Sequence, residues 1–262
     1  MGTLGWIIAF SVLGGLLSAA AGGVFLLLGD ERRTGLLPHL ISLATGTLLG
    51  AAFLGLLPEA LASVARDGAH WVTLSVLAGL VFFFLLEKMV IWRHCHEEHC
   101  EGHTDNPNPG ADTRVAVGTL ILVGDAIHNF IDGGLIAAAF LSDMRLGVVT
   151  SLAIAAHEIP QEVGDLAILL HSGYSRRRAF TYNLAVSFTT VAGALCAWVG
   201  LLQLEAALPY VLAVAASSFI YIAVADLIPG LHARTEFRDS VHQVSLMVLG
   251  IGLVYGLDRA LH

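Results

Sequence analysis

Long runs of apolar residues, separated by short polar stretches, dominate the sequence. A helix needs roughly 20 apolar residues to cross a hydrocarbon core of about 30 Å. Runs of about that length predict eight spans, near residues 4–28, 37–62, 71–92, 115–141, 145–171, 180–202, 208–228 and 242–261. Strands of a membrane barrel would instead alternate over about 10 residues. The pattern therefore predicts an all-α polytopic membrane protein with one transmembrane domain over residues 1–262.

Composition supports a lipid environment. Hydrophobic residues make up 56% of the chain and charged residues only 13%, whereas soluble domains have about 25% charged residues. The lipid bilayer is thus the expected solvent, and the net charge of -8 argues against nucleic acid as a partner. A cleaved signal peptide needs a basic start. Because the first basic residue is Arg32, the first run is expected to be a permanent span.

The basic residues orient the predicted spans. Alternate connections place three of the 13 Lys and Arg residues on one side, namely Arg66, Arg145 and Arg259. The remaining ten lie on the other side: Arg32, Arg33, Lys88, Arg93, Arg114, Arg176, Arg177, Arg178, Arg234 and Arg238. Cytoplasmic loops carry the excess of Lys and Arg. We therefore expect the ten in the cytoplasm and both termini outside.

One long hydrophilic loop, residues 93–114, is predicted between spans three and four, on the cytoplasmic side. Its segment from His94 to His103 contains four His, two Cys and three Glu. Such a tract attracts soft metal ions, although it lacks the paired spacing of a structural zinc fold. The alternative is a solvated polar loop that binds nothing in particular.

Ionisable and amide residues concentrate in the middle of spans four and five, where each charge costs at least a few kcal/mol. They are Asp125, His128, Asn129 and Asp132 in span four, and His157, Glu158, Gln161, Glu162 and Asp165 in span five. At about 100° per residue, each set forms one stripe on its helix. Two facing stripes of imidazole, carboxylate and amide suit Zn(II) and related ions. The alternative, polar contacts that only hold two helices together, would not need so many charges.

The segments His128-Asn129-Phe130-Ile131-Asp132-Gly133 and His157-Glu158-Ile159-Pro160-Gln161-Glu162-Val163-Gly164-Asp165 resemble the ZIP (Zrt/Irt-like) family of metal transporters. The resemblance covers nearly the whole chain. It implies a binuclear metal centre, movement of metal toward the cytoplasm, and a 3+2+3 arrangement. In that arrangement the first three spans repeat the last three in inverted orientation.

The resemblance also implies roles for single residues. One metal position would be formed by His128, Asp132, His157 and Gln161. Asn129 and Glu158 would form a second position, with Asp132 as a bridge, and Glu162 and Asp165 would support the two. This chain departs from many relatives at Gln161, where they have His, and at Ala51 and Gly55, where they have polar residues. Gln161 keeps an oxygen donor but lacks the imidazole.

Three other functions are alternatives. His157-Glu158-Ile159-Pro160-Gln161 resembles the H-E-x-x-H motif of metalloproteases, but Gln161 replaces the second His. No phosphate-binding loop precedes Lys88, the only lysine, which argues against an ATP-driven pump. A metal sensor or proton channel without transport is the third.

The sequence thus predicts an ATP-independent transporter, not an enzyme, that takes up divalent metal ions and has no resident cofactor. Zinc is the expected substrate, with Fe(II), Mn(II), Cd(II) and Co(II) as alternatives, because ligand types alone do not give selectivity. The expected location is the bacterial inner (plasma) membrane, and a homodimer is one possible assembly.

Overall fold

The computed structural model describes residues 2–25, 27–28, 30–97, 111–232 and 236–261, and the helices in these residues form eight spans. Span one is α1 (Thr3–Phe25), and span two joins α2 (Asp30–Gly50), a π-helical segment (Ala51–Leu56) and α3 (Leu57–Ala62). Spans three to five are α4 (Ala69–Glu97), α5 (Ala111–Ser142) and α6 (Met144–His171). Span six joins α7 (Arg176–Ser187) and α8 (Thr189–Gln203). Span seven joins α9 (Leu208–Tyr221), a second π-helical segment (Ile222–Leu227) and α10 (Ile228–His232). Span eight is α11 (Phe237–Ala260).

The prediction of an all-helical polytopic membrane protein is confirmed. Seven of the eight spans are long and apolar enough to cross a membrane. Span five is the exception, although α6 has 28 residues. Its polar stripe, with Glu158, Glu162 and Asp165 in the C-terminal half, lowers its hydropathy.

Helical backbone covers both ends of the predicted loop 93–114. Helix α4 continues to Glu97, and α5 begins at Ala111. A helix does not have to end where its apolar run ends, because polar residues such as Glu and Lys also favour helix in water. The rest of the His- and Cys-containing tract, within 98–110, lies outside the described residues.

Spans two and seven share an irregular feature that their sequences explain. In each, a π-helical segment of six residues is followed directly by a Leu-Pro or Ile-Pro pair, Leu57-Pro58 or Ile228-Pro229. Proline has no N–H and its ring clashes with the carbonyl group four residues earlier. A wider π-helical turn accommodates that mismatch. The two spans therefore have matching irregularities.

The packing of the spans fits the inverted repeat that the family resemblance implies. Span four packs mainly against span six, and span five against span one. Span two pairs with span eight, and span three with span seven. Span one can be exchanged with span six, two with seven, three with eight, and four with five. Each of the four packing pairs then becomes another of the four. Spans four and five thus lie between the two repeats.

Glycines allow the closest contacts between spans. A Cβ atom at Gly133 would overlap the carbonyl oxygen of Thr190, and one at Gly193 would overlap that of Phe130. The backbones of spans four and six therefore touch. Gly46 and Gly250 play the same role between spans two and eight, where a Cβ at Gly250 would lie 2.6 Å from the Leu43 carbonyl oxygen.

An apolar core fills the half of the protein that contains the connection between spans four and five. Leu56, Ile136 and Leu212 are 0–1% exposed there. The connection itself is short, and the Asp143 side chain caps α6 by accepting hydrogen bonds from the backbone N–H groups of Arg145 and Leu146. This core closes one end of the polar site described next.

Candidate metal centre

Four side chains from spans four and five meet at the centre of the protein. His128 and Asp132 lie one turn apart on α5, and His157 and Glu158 are adjacent on α6. One ligand atom from each residue can be chosen so that all four lie within 4.8 Å of one another. The two polar stripes therefore face each other as their helical spacing predicts.

The distances within this cluster are those of groups that can share one ion. The Nε2 atoms of His128 and His157 are 3.3 Å apart. Asp132 Oδ2 lies 3.2 Å from His157 Nε2 and 3.7 Å from His128 Nε2. Glu158 Oε1 lies 3.5 Å from His128 Nε2. Two ligands at about 2.0 Å from a tetrahedral zinc are separated by about 3.3 Å.

The ring of His157 is held in the orientation that metal binding requires. Its Nδ1 lies 3.2 Å from the carbonyl oxygen of Ala153, one turn earlier on α6. A hydrogen on Nδ1 satisfies that carbonyl and leaves the lone pair of Nε2 for a metal ion. His157 is only 1% exposed, whereas the His128 side chain is 23% exposed. His128 is therefore the member of the pair that borders open space.

The carboxylates of the cluster lie next to the imidazole nitrogens. Within the described part of the chain, both oxygens of Asp132 and both of Glu158 are buried without a hydrogen-bond partner. Burying two unpaired carboxylates is costly unless a cation compensates them. A divalent ion would balance two negative charges, so the charge of the cluster matches that of M²⁺.

Asn129 is directed away from the four-residue cluster. Its Nδ2 donates to Asp125 Oδ1 at 2.8 Å and to the Asp125 carbonyl oxygen at 3.2 Å. The Thr190 hydroxyl of span six donates to Asn129 Oδ1 at 2.8 Å. Both ends of the amide are thus engaged. Glu158 lies with the two histidines, whereas Asn129 binds Asp125. A second metal position formed by Asn129 and Glu158 stays a prediction.

The other predicted residues of span five surround the cluster. Gln161 donates from Nε2 to Asp125 Oδ1 at 3.4 Å, which leaves its carbonyl oxygen for a cation. Glu162 accepts a hydrogen bond from the Ser187 hydroxyl at 2.9 Å and lies against span one. Asp165 lines the cavity described next. Asp125 therefore connects Asn129 and Gln161, a linking role that the sequence did not indicate.

A cavity of about 740 Å³ leads from the cluster toward one end of the protein. Its polar lining includes both histidines of the cluster, Asp125, Gln161 and Asp165. The lining belongs to the first part of spans two and four and the last part of spans three, five and seven. Those parts lie toward the connections that carry the ten basic residues.

Further acidic and phenolic groups line this cavity. They are Glu87 of span three and Tyr221 and Asp226 of span seven, and the Tyr221 hydroxyl donates a hydrogen bond to Glu87. Glu87 lies close to Lys88 at the end of an apolar run, so its sequence position suggests an interfacial residue. Only the packing of span three on span seven places it inside the cavity.

We expect Gln161→His to tighten zinc binding, because imidazole is a better zinc donor than an amide oxygen. The apparent affinity for Zn(II) should rise by about tenfold or more relative to that for Mn(II), since imidazole favours zinc and oxygen donors favour Mn(II). Competition of Zn(II) and Mn(II) for purified protein in nanodiscs measures this. An unchanged ratio would contradict a contact between position 161 and the ion.

The fold and the cluster together define a polytopic membrane protein with a metal site between its two central helices. Comparisons with known proteins specify the family. The sequence model described as ZIP Zinc transporter matches residues 4–113 and 91–258. The chain therefore belongs to the ZIP zinc transporter family, as the paired motifs indicated.

Individual relatives agree. The mouse protein named Zinc transporter ZIP4 is 32% identical over 82% of this chain and 41% of its own length. The zebrafish Zinc transporter ZIP13 is 33% identical over 86% of this chain and 77% of its own length. The chain thus spans less than half the length of the ZIP4 relative. Membership in this family argues against the metalloprotease alternative for the His157 motif.

Proposed function

We propose that this protein carries divalent transition-metal ions, with zinc as the principal substrate, across a membrane toward the cytoplasm without ATP. The observation that carries the proposal is the buried cluster of two imidazoles and two carboxylates at the inner end of a cavity. Nitrogen and oxygen donors in a compact group suit Zn(II), and they also bind Fe(II), Mn(II), Co(II) and Cd(II). The names of the relatives support zinc.

The cavity and the charges support the proposed direction. The cavity opens toward the connections that carry ten of the 13 basic residues, which the positive-inside rule assigns to the cytoplasm. The opposite end is closed by buried Leu56, Ile136 and Leu212. This arrangement supports an inward-facing state, in which a bound ion can leave only toward the cytoplasm. Uptake then requires a second state in which the apolar core opens and the cavity closes.

The proposed ligands differ in role. His128, Asp132, His157 and Glu158 hold the ion, and Gln161 adds its carbonyl oxygen from the cavity side. Asn129 and Glu162 are better suited to a supporting role, since Thr190 and Asp125 engage the first and Ser187 engages the second. Asp165, Glu87 and Asp226 supply negative charge along the cavity, which attracts a cation leaving the cluster.

The chain is a multi-pass integral membrane protein. We expected a bacterial inner membrane from the sequence. The relatives are animal proteins and do not support that choice. Exposed apolar side chains such as Phe82, Leu85 and Val248 are suited to contact with lipid. Assembly into a homodimer stays a prediction.

Zinc flux into sealed vesicles tests the proposed function. The purified full chain is reconstituted with a zinc-sensitive dye inside, and Zn(II) is added outside in the absence of nucleotide. Saturable entry above that of protein-free vesicles is the expected result. Binding without flux would instead support a metal sensor, and proton flux without metal flux would support a proton channel.

Replacing the six His and Cys residues of the cytoplasmic loop by serine is expected to leave most of the zinc flux in place. The six are His94, Cys95, His96, His99, Cys100 and His103. These residues lie in the predicted loop and not in the central cluster. They can therefore collect released ions without forming the pathway. Initial rates at equal protein density measure this, and complete loss of flux in a correctly inserted variant would contradict it.

A further inference from the structure

We propose a second binding site for a divalent transition-metal ion, formed by His39, His242 and Asp239 where spans two and eight begin. These three side chains line a small cavity on the side of span two that is turned away from the central cavity. The cavity is open to one side, and its volume of about 10 Å³ is roughly the room that one water molecule or ion occupies. The site is separate from the central cluster and does not depend on the proposed transport.

The two imidazoles come from different helices and face each other. Their ring centroids are 6.3 Å apart, compared with 5.5 Å for His128 and His157 in the central cluster. Two rings that bind one zinc through Nε2 have centroids about 5 Å apart, given Zn–N distances of about 2.0 Å and tetrahedral angles. The two rings would have to approach each other by roughly 1 Å to bind the same ion.

His39 is oriented in the same way as His157. Its Nδ1 lies 2.8 Å from the carbonyl oxygen of Gly35, four residues earlier. The carbonyl can only accept, so Nδ1 carries the hydrogen and Nε2 keeps its lone pair. This pattern of one ring nitrogen bound to a carbonyl group and the other free is typical of metal-ligating histidines.

Asp239 completes the set of donors. It precedes His242 by three residues on α11, and residues three apart lie on the same face of a helix. Both line the cavity together with His39. Two imidazoles and one carboxylate are a common set of protein ligands for zinc, with water in the fourth position.

The backbones of spans two and eight hold these ligands in place. Gly46 lies seven residues after His39, and a Cβ atom there would overlap the carbonyl oxygen of Met247. Gly250 lies eight residues after His242, and a Cβ atom there would lie 2.6 Å from the Leu43 carbonyl oxygen. The two helices therefore touch two turns away from the histidines. An ion would therefore bind between two helices that are already in contact, and only the exposed side chains of His39 and His242 would have to move.

The location connects this site with the central cavity. Leu37 and Ile41 line the central cavity, while His39 and Ser42 from the same two turns line the smaller one. Span two thus separates the two spaces at the end that faces the ten basic residues. An ion bound between His39 and His242 would fix the start of span two against span eight, beside the opening of the central cavity.

Equilibrium zinc binding to the full chain in nanodiscs tests the proposal. The parent variant combines His128→Ala, His157→Ala and serine at the six loop positions, so that neither the central cluster nor the loop contributes. We expect the parent to bind one Zn(II), and His242→Ala or His39→Ala in the parent to weaken that binding by at least about tenfold. His70→Ala is the matched control, because His70 is exposed at the start of span three and packs against Trp71.

Cu(II) provides a second measurement on the same proteins. Pulsed electron paramagnetic resonance of one Cu(II) equivalent should report two imidazole nitrogens in the parent and one in either single variant. Unchanged zinc affinity in the His39 and His242 variants, or equal loss in the His70 control, would overturn the site. If the parent unfolds, the comparison is made with the loop variant, where the His39 and His242 variants should bind one Zn(II) fewer. None of these results depends on whether the protein transports metal.

Discussion

Replacing His157 by alanine is expected to reduce zinc uptake by reconstituted protein by about 100-fold or more. The imidazole supplies one of four donors to the ion, and even changes to residues that only orient ligands typically cost 10–100-fold in metal affinity. The same loss is expected for His128→Ala. The initial rate of dye-detected zinc entry into vesicles, at equal amounts of inserted protein, is the measurement.

A histidine on the same helix provides the control. His171 ends α6, is exposed and lies outside the cluster. His171→Ala should therefore retain the rate of the unchanged protein. Because His157 is buried, His157→Gln is tested beside His157→Ala to separate loss of the imidazole from loss of packing volume. Near-normal uptake by both the His128 and His157 variants would remove the cluster from the pathway.

A second large effect is expected at the contact between spans four and six. A Cβ atom at Gly133 would overlap the Thr190 carbonyl oxygen, so Gly133→Ala must separate the two backbones. That separation would also break the hydrogen bond from Thr190 to Asn129. Overpacking typically costs 1–3 kcal/mol, and each kcal/mol lowers the midpoint of thermal unfolding by roughly 2–4 °C at this chain length. We expect a fall of about 5 °C or more.

The neighbouring glycine is a matched control. A Cβ atom at Gly134 would lie 3.7 Å from Ala197 Cβ, an ordinary van der Waals contact. Gly134→Ala should therefore change the midpoint by less than about 2 °C. Equal midpoints for the two variants in nanodiscs would contradict the direct backbone contact at Gly133.

Hydropathy predicted most of the spans, because lipid imposes one simple requirement on helices that contact it. Each must present an apolar surface of fixed length. The cluster was also predictable in part, since His128 and Asp132 are one turn apart and must share a face of α5. The ends of the helices were less predictable. Helix α4 continues past its apolar run to Glu97, where hydropathy contains no signal.

Features that depend on packing between distant spans could not be predicted. One example is the hydrogen bond that the Thr190 hydroxyl of span six donates to the amide oxygen of Asn129. The role of Asn129 in a second metal position stays a prediction. Gly193 and Gly200 lie on the same helix, α8 of span six. Only Gly193 touches another span, because a Cβ at Gly200 would have no neighbour within 4 Å in the described part of the chain. Which glycine meets a neighbour depends on where two helices cross.

Locating the bound ion tests the central claim most directly. Crystals of the full chain grown with Zn(II) would be measured above and below the zinc absorption edge, so that the anomalous difference map marks each ion. We predict a peak within about 2.0–2.3 Å of His128 Nε2, His157 Nε2 and the carboxylates of Asp132 and Glu158. Zinc peaks elsewhere in the protein, with none among these four side chains at saturating Zn(II), would contradict the account.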